Sequence, residues 1–282
     1  MIILKDSTAV SEQCLAWQKA GQSVALVPTM GFFHQGHASL MQAARQKADK
    51  VVVSLFVNPA QFAPGEDLGA YPRDVEKDRL IAEGNCVNLL FMPEVSSLYP
   101  EGYDTWASVP GLSKRLCGKT RPMHFQGVCT VVLKLFNICR PDFAFFGQKD
   151  WQQLAVIRRM TQDLNLNVQI QGEPIVRETD GLAMSSRNSY LSPDERAAAP
   201  HIHKGLAAAR ELFGAGETNI AVYERSILDY WAQNLPQARV DYLEFVDPSS
   251  LASKEKADAE TLIATAVYLG KARLLDNQLL GA

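Results

Sequence analysis

The chain lacks any uninterrupted apolar run long enough to cross a bilayer, and its opening, MIILKDSTAV, reaches Lys5 and Asp6 too soon for a secretory leader. It also lacks a lysine- or arginine-rich block. The formal net charge over 282 residues is -3, which argues against nucleic acid as the main partner. Cysteine is sparse: Cys14, Cys86, Cys117, Cys129 and Cys139 are scattered, odd in number and never in a CxxC pair. That pattern excludes a disulfide framework and a cysteine-based metal site, and it predicts reduced thiols. Neither GxxxxGKS/T nor GxGxxG occurs, so the usual nucleotide cradles are missing. There is no internal repeat and no low-complexity segment. With 47% hydrophobic and 21% charged residues, the composition is that of an ordinary globular protein with one large or two modest domains. The expectation is a soluble, cytoplasmic protein with no membrane partner.

What is present centres on residues 24–37, VALVPTMGFFHQGH. A short apolar run is broken by Pro28, which cannot donate a backbone hydrogen bond. Thr29, Met30, Gly31 and two phenylalanines lead to His34, Gln35, Gly36 and His37. From Ala38 the pattern becomes ASLMQAARQKA, rich in helix formers and apolar at helical spacing. The stretch therefore reads as strand, tight loop and helix, with paired histidines where the helix begins. A helix N-terminus presents unpaired N–H groups and the positive end of the macrodipole, so it suits an anion. Imidazoles there add hydrogen bonds to phosphate oxygens, and Gly36 permits close approach. An ordinary turn fits the same four residues. Zinc is set aside because no third His or Cys stands at a ligand spacing nearby.

The run VVVSLFV at 51–57 reads as a strand buried on both faces. Further strands are expected at 87–92, 143–146 and 168–170, with residues 2–4 either a short strand or merely a start. Helices are expected at 7–20 capped by Ser7, at 74–83, 128–139 and 151–164, and residues 114–128 read as a basic loop. Strands alternating with helices of this size predict an α/β fold, a doubly wound (Rossmann-like) parallel sheet over residues 1–176. Residues 177–191 are polar and turn-rich. Helices at 193–213 and 219–233, then strands at 240–246 and 262–269 with a last apolar piece at 273–275, predict a smaller α+β domain over 177–282, acting as a lid.

Several polar clusters fall where such a sheet presents its ligand, at the carboxyl ends of strands. Asn58 and Gln61 carry amides that suit a small neutral or carboxylate-bearing substrate, or they cap a turn. In Gly147-Gln148-Lys149-Asp150, Lys149 suits a phosphate, and Asp150 either accepts from a ribose hydroxyl or caps a helix. Gln153 lies one helical turn on. Arg121 and His124 precede a helix and either face an anion or are solvated. Ser185, Ser186 and Arg187 form a common surface triplet that also suits a loop closing on a polyphosphate, since Arg grips phosphate oxygens bidentately.

Taken together, PTMGFFHQGH at 28–37, FVNPAQF at 56–62, YPRD at 71–74, RPMHFQGV at 121–128, FFGQKDWQQL at 145–154 and MSSRN at 184–188 occur in an order and spacing that resembles the pantothenate synthetase (pantoate–β-alanine ligase) family, within the nucleotidyltransferases that carry an H-x-G-H signature. The resemblance covers essentially the whole chain. Departures are small: Phe33 stands where the family usually has Leu, Gln148 where Glu is commoner, and Met123 where Gly is frequent. The resemblance implies ATP-dependent joining of (R)-pantoate to β-alanine through a pantoyl adenylate, with Mg²⁺ on the ATP phosphates and no metal ligands in the protein. It implies a homodimer. It also implies that His34 and His37 bind phosphate, with His37 the better candidate for moving a proton, and that Lys149, Ser185, Ser186 and Arg187 bind phosphates. Gly147 and Asp150 would hold the ribose, backbone around Met30, Gly31, Val176 and Met184 the nucleotide, and Gln61 and Gln153 the pantoate. Asn58, Arg121 and His124 are expected at the substrate site.

Rival readings are a nucleotidyl transfer to a phosphorylated acceptor, which would want more basic residues than Gln61 and Gln153; an ATP-binding sensor without turnover; and a tRNA-charging relative, against which the net charge of -3 argues.

Overall fold

Strands that read as near-continuous Val/Leu/Ile runs are those of a sheet covered on both faces, and this is what the computed structural model of the chain contains; it describes residues 1–281. In chain order the first part comprises β1 (Ile2–Leu4), α1 (Ser7–Lys19), β2 (Val24–Thr29), α2 (Gln35–Lys47), β3 (Lys50–Leu55), a 3₁₀ turn at Pro59–Gln61, α3 (Val75–Gly84) and β4 (Leu89–Phe91). Three short helices follow, α4 (Val95–Leu98), α5 (Pro110–Ser113) and α6 (Cys117–Thr120). Then come α7 (His124–Cys139), β5 (Phe143–Gly147), a 3₁₀ turn at Gln148–Asp150, α8 (Trp151–Asp163) and β6 (Gln169–Glu173). The six strands are parallel and ordered β1-β4-β3-β2-β5-β6. Residues Val24 to Val27 and Val51 to Val53 are fully buried, as strands at the centre of such a sheet must be. The chain winds one way from β2 through β3 to β4 and the other way from β5 to β6, so the order reverses between β2 and β5. Ligands of open α/β sheets bind outside the carboxyl ends of strands at such a reversal.

The remainder comprises a 3₁₀ turn at Ser186–Tyr190, α9 (Pro193–Ala198), α10 (His201–Gly214), α11 (Ile220–Asn234), β7 (Arg239–Val246), β8 (Leu262–Leu269) and β9 (Ala272–Leu279). The last three strands form a separate antiparallel sheet, β7-β8-β9, backed by a core that includes Tyr223, Ile227, Trp231, Ile263 and Val267. Two compact units result. The first contains Met1–Lys114, Gly118–Gln148 and Val156–Pro174; the second contains Arg115–Cys117, Lys149–Ala155 and the chain from Ile175 on.

Four local expectations are corrected. Asp6, not Ser7, caps α1, accepting from the Ala9 N–H at 2.8 Å. Pro28 does not break β2, which runs on to Thr29 opposite Leu55; Pro28 lies beyond Leu26, the last β2 residue paired with β5, where a missing N–H is tolerated. Helix α7 begins at His124, so part of the expected basic loop is helical. The helix expected at 193–213 is two helices, because Pro200 has no N–H to continue the first and instead stands before the second.

Gly127 explains part of the α7 boundary. It faces the 3₁₀ turn so closely that an added Cβ would lie 2.2 Å from the Ala60 carbonyl oxygen and 2.6 Å from the Gln61 nitrogen. Mid-helix, Gly→Ala ordinarily gains about 1 kcal/mol. Here overlap with backbone that cannot move aside costs about 1–3 kcal/mol or more, so the sign reverses. Gly127→Ala is expected to lower the thermal midpoint by several degrees; an unchanged or raised midpoint would show that the turn does not pack against α7 as described.

Candidate functional site

The carboxyl end of β2 runs into a backbone that only glycine and a constrained neighbour can adopt. Gly31 has φ 86° and Phe32 has φ 53°, both left-handed. A Cβ on Gly31 would also meet the Asp78 Oδ2 at 2.9 Å, so glycine is required twice over. The turn aims the next two N–H groups at Asp78 on α3: Phe32 N donates to Oδ2 at 2.7 Å and Phe33 N to Oδ1 at 2.5 Å. Asp78 is 1% exposed. Burial pushes its carboxyl up from the ordinary range, and the two backbone donors pull against that. With Phe33 itself buried, the loop is held from below by an acid and an aromatic ring.

This fixed loop delivers His34 and His37 to the start of α2. His34 is the N-cap, in extended conformation, and its Nδ1 accepts from the Gly36 N–H at 3.1 Å. The His37 Nδ1 reaches back to accept from the His34 N–H at 3.3 Å. The two rings thus play the parts that Ser or Thr and Glu play in an ordinary capping box. A nitrogen that accepts carries no proton, so each neutral imidazole holds its hydrogen on Nε2. The rings lie 4.2 Å apart between centroids. Two N–H donors are thereby assembled at the positive end of a helix, and the cap determines which nitrogen donates.

At the end of β3, Asn58 is 1% exposed and its amide is used throughout. Its Oδ1 accepts from the Ala60 N–H and from the Tyr99 hydroxyl, and its Nδ2 donates to the Gly127 carbonyl at 3.1 Å and to the Gln61 Oε1 at 3.2 Å. Asn58 caps the turn, one of the two readings open to it, and its amide also holds the Gln61 side chain. The Gln61 Nε2 donates to the Met30 Sδ, a weak acceptor, at 2.9 Å. Arg121 and His124 also serve this turn. Arg121 forms a two-pronged pair with Glu66, at 2.7 and 2.6 Å, and reaches the Gln61 carbonyl, on which His124 Nδ1 also converges at 2.9 Å. The Glu66 carboxyl is pushed up by burial but pulled further down by Arg121, and ends below its ordinary range. Gly147 closes β5 at the sheet reversal, with open space where a Cβ would stand.

The remaining candidates belong to the second unit. Lys149 pairs with Asp150 at 3.1 Å, and Gln153 is partly exposed on the first turn of α8. Val176 and Met184 are joined by a backbone bond of 3.0 Å, next to an isolated bridge between Arg177 and Ala183. Ser185 caps the turn that follows, accepting from the Arg187 N–H, and Ser186 is 7% exposed. Residues 177–187 are braced by ion pairs: Arg177 pairs with the buried Asp276 at 2.7 and 2.9 Å, and the half-exposed Arg196 grips Glu178 and Asp180.

Sequence reasoning passed over Asp78, Tyr99, Glu66 and Asp276. Asp78 sits in VEKDRL, which reads as a solvated helix face, and no periodic signal marks it as buried. Glu66 and Tyr99 fall in segments rich in proline and glycine. Asp276 lies just beyond the last apolar piece expected, at 273–275, and inside β9.

An open parallel α/β sheet with a histidine-capped helix at its reversal point defines an α/β protein of the doubly wound class, an arrangement that suits an anionic ligand. The comparisons make the assignment specific. A model of the pantoate–β-alanine ligase family matches residues 2–279. The pantothenate synthetase of Oleidesulfovibrio alaskensis is 54% identical over 277 residues, covering 98% of this chain and 99% of the relative. That of Nitratidesulfovibrio vulgaris (strain Miyazaki F) is 55% identical over 280 residues, covering 99% of each. Among solved structures, pantothenate synthetase from Thermus thermophilus superposes with a TM-score of 0.94 at 41% identity, covering 100% of both chains. The Francisella tularensis ligase, complexed with β,γ ATP and β-alanine, gives 0.82 at 32% identity, covering 100% of this chain and 98% of that one. The chain belongs to the pantoate–β-alanine ligase family.

Replacing Asp78 with Asn sets an amide N–H₂ against one of the two backbone donors. Leaving a buried donor unsatisfied costs about 1–3 kcal/mol. Asp78→Asn is expected to lower the urea midpoint correspondingly, and an unshifted midpoint would mean the carboxylate does not hold the loop.

Proposed function

We propose that the protein condenses (R)-pantoate with β-alanine, cleaving ATP to AMP and pyrophosphate through an enzyme-bound pantoyl adenylate. Membership of the family supports the overall reaction, and the observation that carries the site assignment is the reciprocal histidine cap. In the first half-reaction a pantoate carboxylate oxygen attacks the α-phosphorus; that P–O bond forms as the bond to the β-phosphate bridging oxygen breaks, and pyrophosphate leaves. In the second, the neutral amine of β-alanine attacks the acyl carbon, the acyl C–O bond breaks, AMP departs and the nitrogen loses a proton. No covalent enzyme nucleophile is needed. The barrier falls through positioning and through stabilising charge as it builds on the phosphates.

In this proposal the Nε2–H groups of His34 and His37 hydrogen-bond phosphate oxygens, adding to the N-terminal field of α2. His37 is the residue whose Nε2–H hydrogen-bonds the departing oxygen, stabilising its charge while the ring keeps its proton. Lys149, Ser185, Ser186 and Arg187 bind phosphates. The open space at Gly147 favours a ribose there, with Asp150 accepting from its hydroxyls, and backbone around Met30, Gly31, Gly36, Val176 and Met184 lines the nucleotide. Gln61 binds pantoate by exchanging a weak sulfur acceptor for a carboxylate or hydroxyl oxygen, and Gln153 provides the second amide. Asn58, Arg121 and His124 position Gln61. Mg²⁺ is carried on the ATP phosphates, where it neutralises charge, in keeping with its habit of retaining water ligands. The homodimer and the cytoplasmic location belong to the same proposal and rest on the resemblance.

Pyrophosphate release with ATP, Mg²⁺ and pantoate, followed by AMP release on adding β-alanine, tests the reaction. Pyrophosphate is expected to require pantoate, and AMP to require the amine. His37→Ala is expected to slow pyrophosphate release about 10²–10³-fold, the usual effect of losing one donor to a charged transition state. Pyrophosphate independent of pantoate would overturn the reaction, and a His37→Ala rate within a few-fold of the parent would overturn the histidine's role.

A further inference from the structure

Strand β9 contains two adjacent residues that a strand ordinarily avoids. Asp and Asn are both depleted in sheets, yet Asp276 and Asn277 stand opposite Thr265 and Ala264 of β8 and are only 4% and 6% exposed. Local preference set aside at buried positions marks a place where another requirement dominates. Successive side chains of a strand point to opposite faces, so the two residues serve different neighbours.

Asp276 accepts both guanidinium nitrogens of Arg177, at 2.7 and 2.9 Å, and the Asn277 backbone N–H at 2.8 Å. Arg177 also donates to the Gly181 carbonyl at 3.1 Å, and its backbone bridges to Ala183. One carboxylate therefore braces the segment that carries Val176 and residues 184–187. Asn277 takes the other neighbour: its Nδ2 donates to the Lys149 carbonyl at 3.0 Å. The Trp151 indole N–H, bonded to the Pro248 carbonyl at 2.8 Å, tethers the same turn on its other side. The Lys149 turn and the 176–187 loop of the second unit share one two-residue anchor.

We propose that Asp276 and Asn277 are positioning residues for ATP: Asn277 sets the Lys149 turn, and Asp276, through Arg177, sets the 176–187 loop. The inference rests on the reading above that these two segments bind the nucleotide. A phosphate site assembled from separate segments needs each held in register before the ligand arrives, because ordering them on binding weakens affinity. Adjacency on one rigid strand supplies that register without either residue touching substrate.

Two measurements test this on the intact chain. Hydrogen–deuterium exchange without ligand is followed in the parent, in Asn277→Leu, which keeps volume and loses the donor, and in Asp276→Asn, which keeps shape and loses the charge. Asn277→Ala replaces the leucine variant if that fails to fold. The Asn277 variant is expected to speed exchange at 149–153 about tenfold, the effect of one lost hydrogen bond, with 183–188 within about twofold of the parent. Asp276→Asn is expected to do the reverse. In the pantoate-dependent pyrophosphate assay each variant is expected to raise the KM for ATP about fivefold or more, with kcat and the KM for pantoate within about twofold. Equal loosening of both segments by either variant, or an unchanged KM for ATP, would overturn the proposal. Absence of pantoate-dependent pyrophosphate in the parent would instead overturn the function, and the exchange pattern would still decide whether the anchor exists.

Discussion

Two histidines closing a helix on each other is the contact on which the site depends. A helix start usually has its orphan N–H groups satisfied by a hydroxyl or a carboxylate, which ends their chemistry. Here His34 and His37 accept from the Gly36 and His34 N–H groups through Nδ1, and the same bonds leave the ring hydrogens on Nε2. An acidic cap would place negative charge where the proposed function puts a phosphate. Imidazoles satisfy the helix without adding an acid, and in the proposed function the same rings also meet the ligand.

That contact is only as fixed as the loop beneath it. The left-handed pair at Gly31 and Phe32 turns the chain so that Asp78 takes the N–H groups of Phe32 and Phe33, and burial of Phe33 secures the rest. The neighbouring turn is built in the same manner. Asn58 spends its amide on α7, Tyr99 and Gln61, while Arg121 and Glu66 neutralise each other beside it. In both places buried polar groups are paired with one another.

Where burial and propensity agree, the sequence is readable. VVVSLFV announces a central strand, and 262–269 is a strand to the residue. Where tertiary contact overrides local preference, it is not. RPMHFQGV has the proline and glycine of a loop, yet α7 begins at His124 within it, and Gly127 packs against the Ala60 carbonyl where a Cβ has no room. Asp276 and Asn277 look like the end of a strand and lie within one. The polar clusters of the site were visible one by one, but none was specific alone; their joint order made the resemblance. The supporting residues, Asp78 and Glu66 above all, carry no signal, since a buried acid and a solvated one are the same letter.

The most direct test of the account reads the imidazole tautomers. With only five histidines in the chain, ring-¹⁵N-labelled protein at about pH 8, above the ordinary histidine range, allows His34 and His37 to be assigned by substitution. Long-range ¹H–¹⁵N correlation is predicted to show both rings protonated at Nε2 and bare at Nδ1, before any nucleotide is added. A proton on Nδ1 of either ring would contradict the account, because that ring cannot then accept from the helix, and the donor assigned to phosphate would not be there.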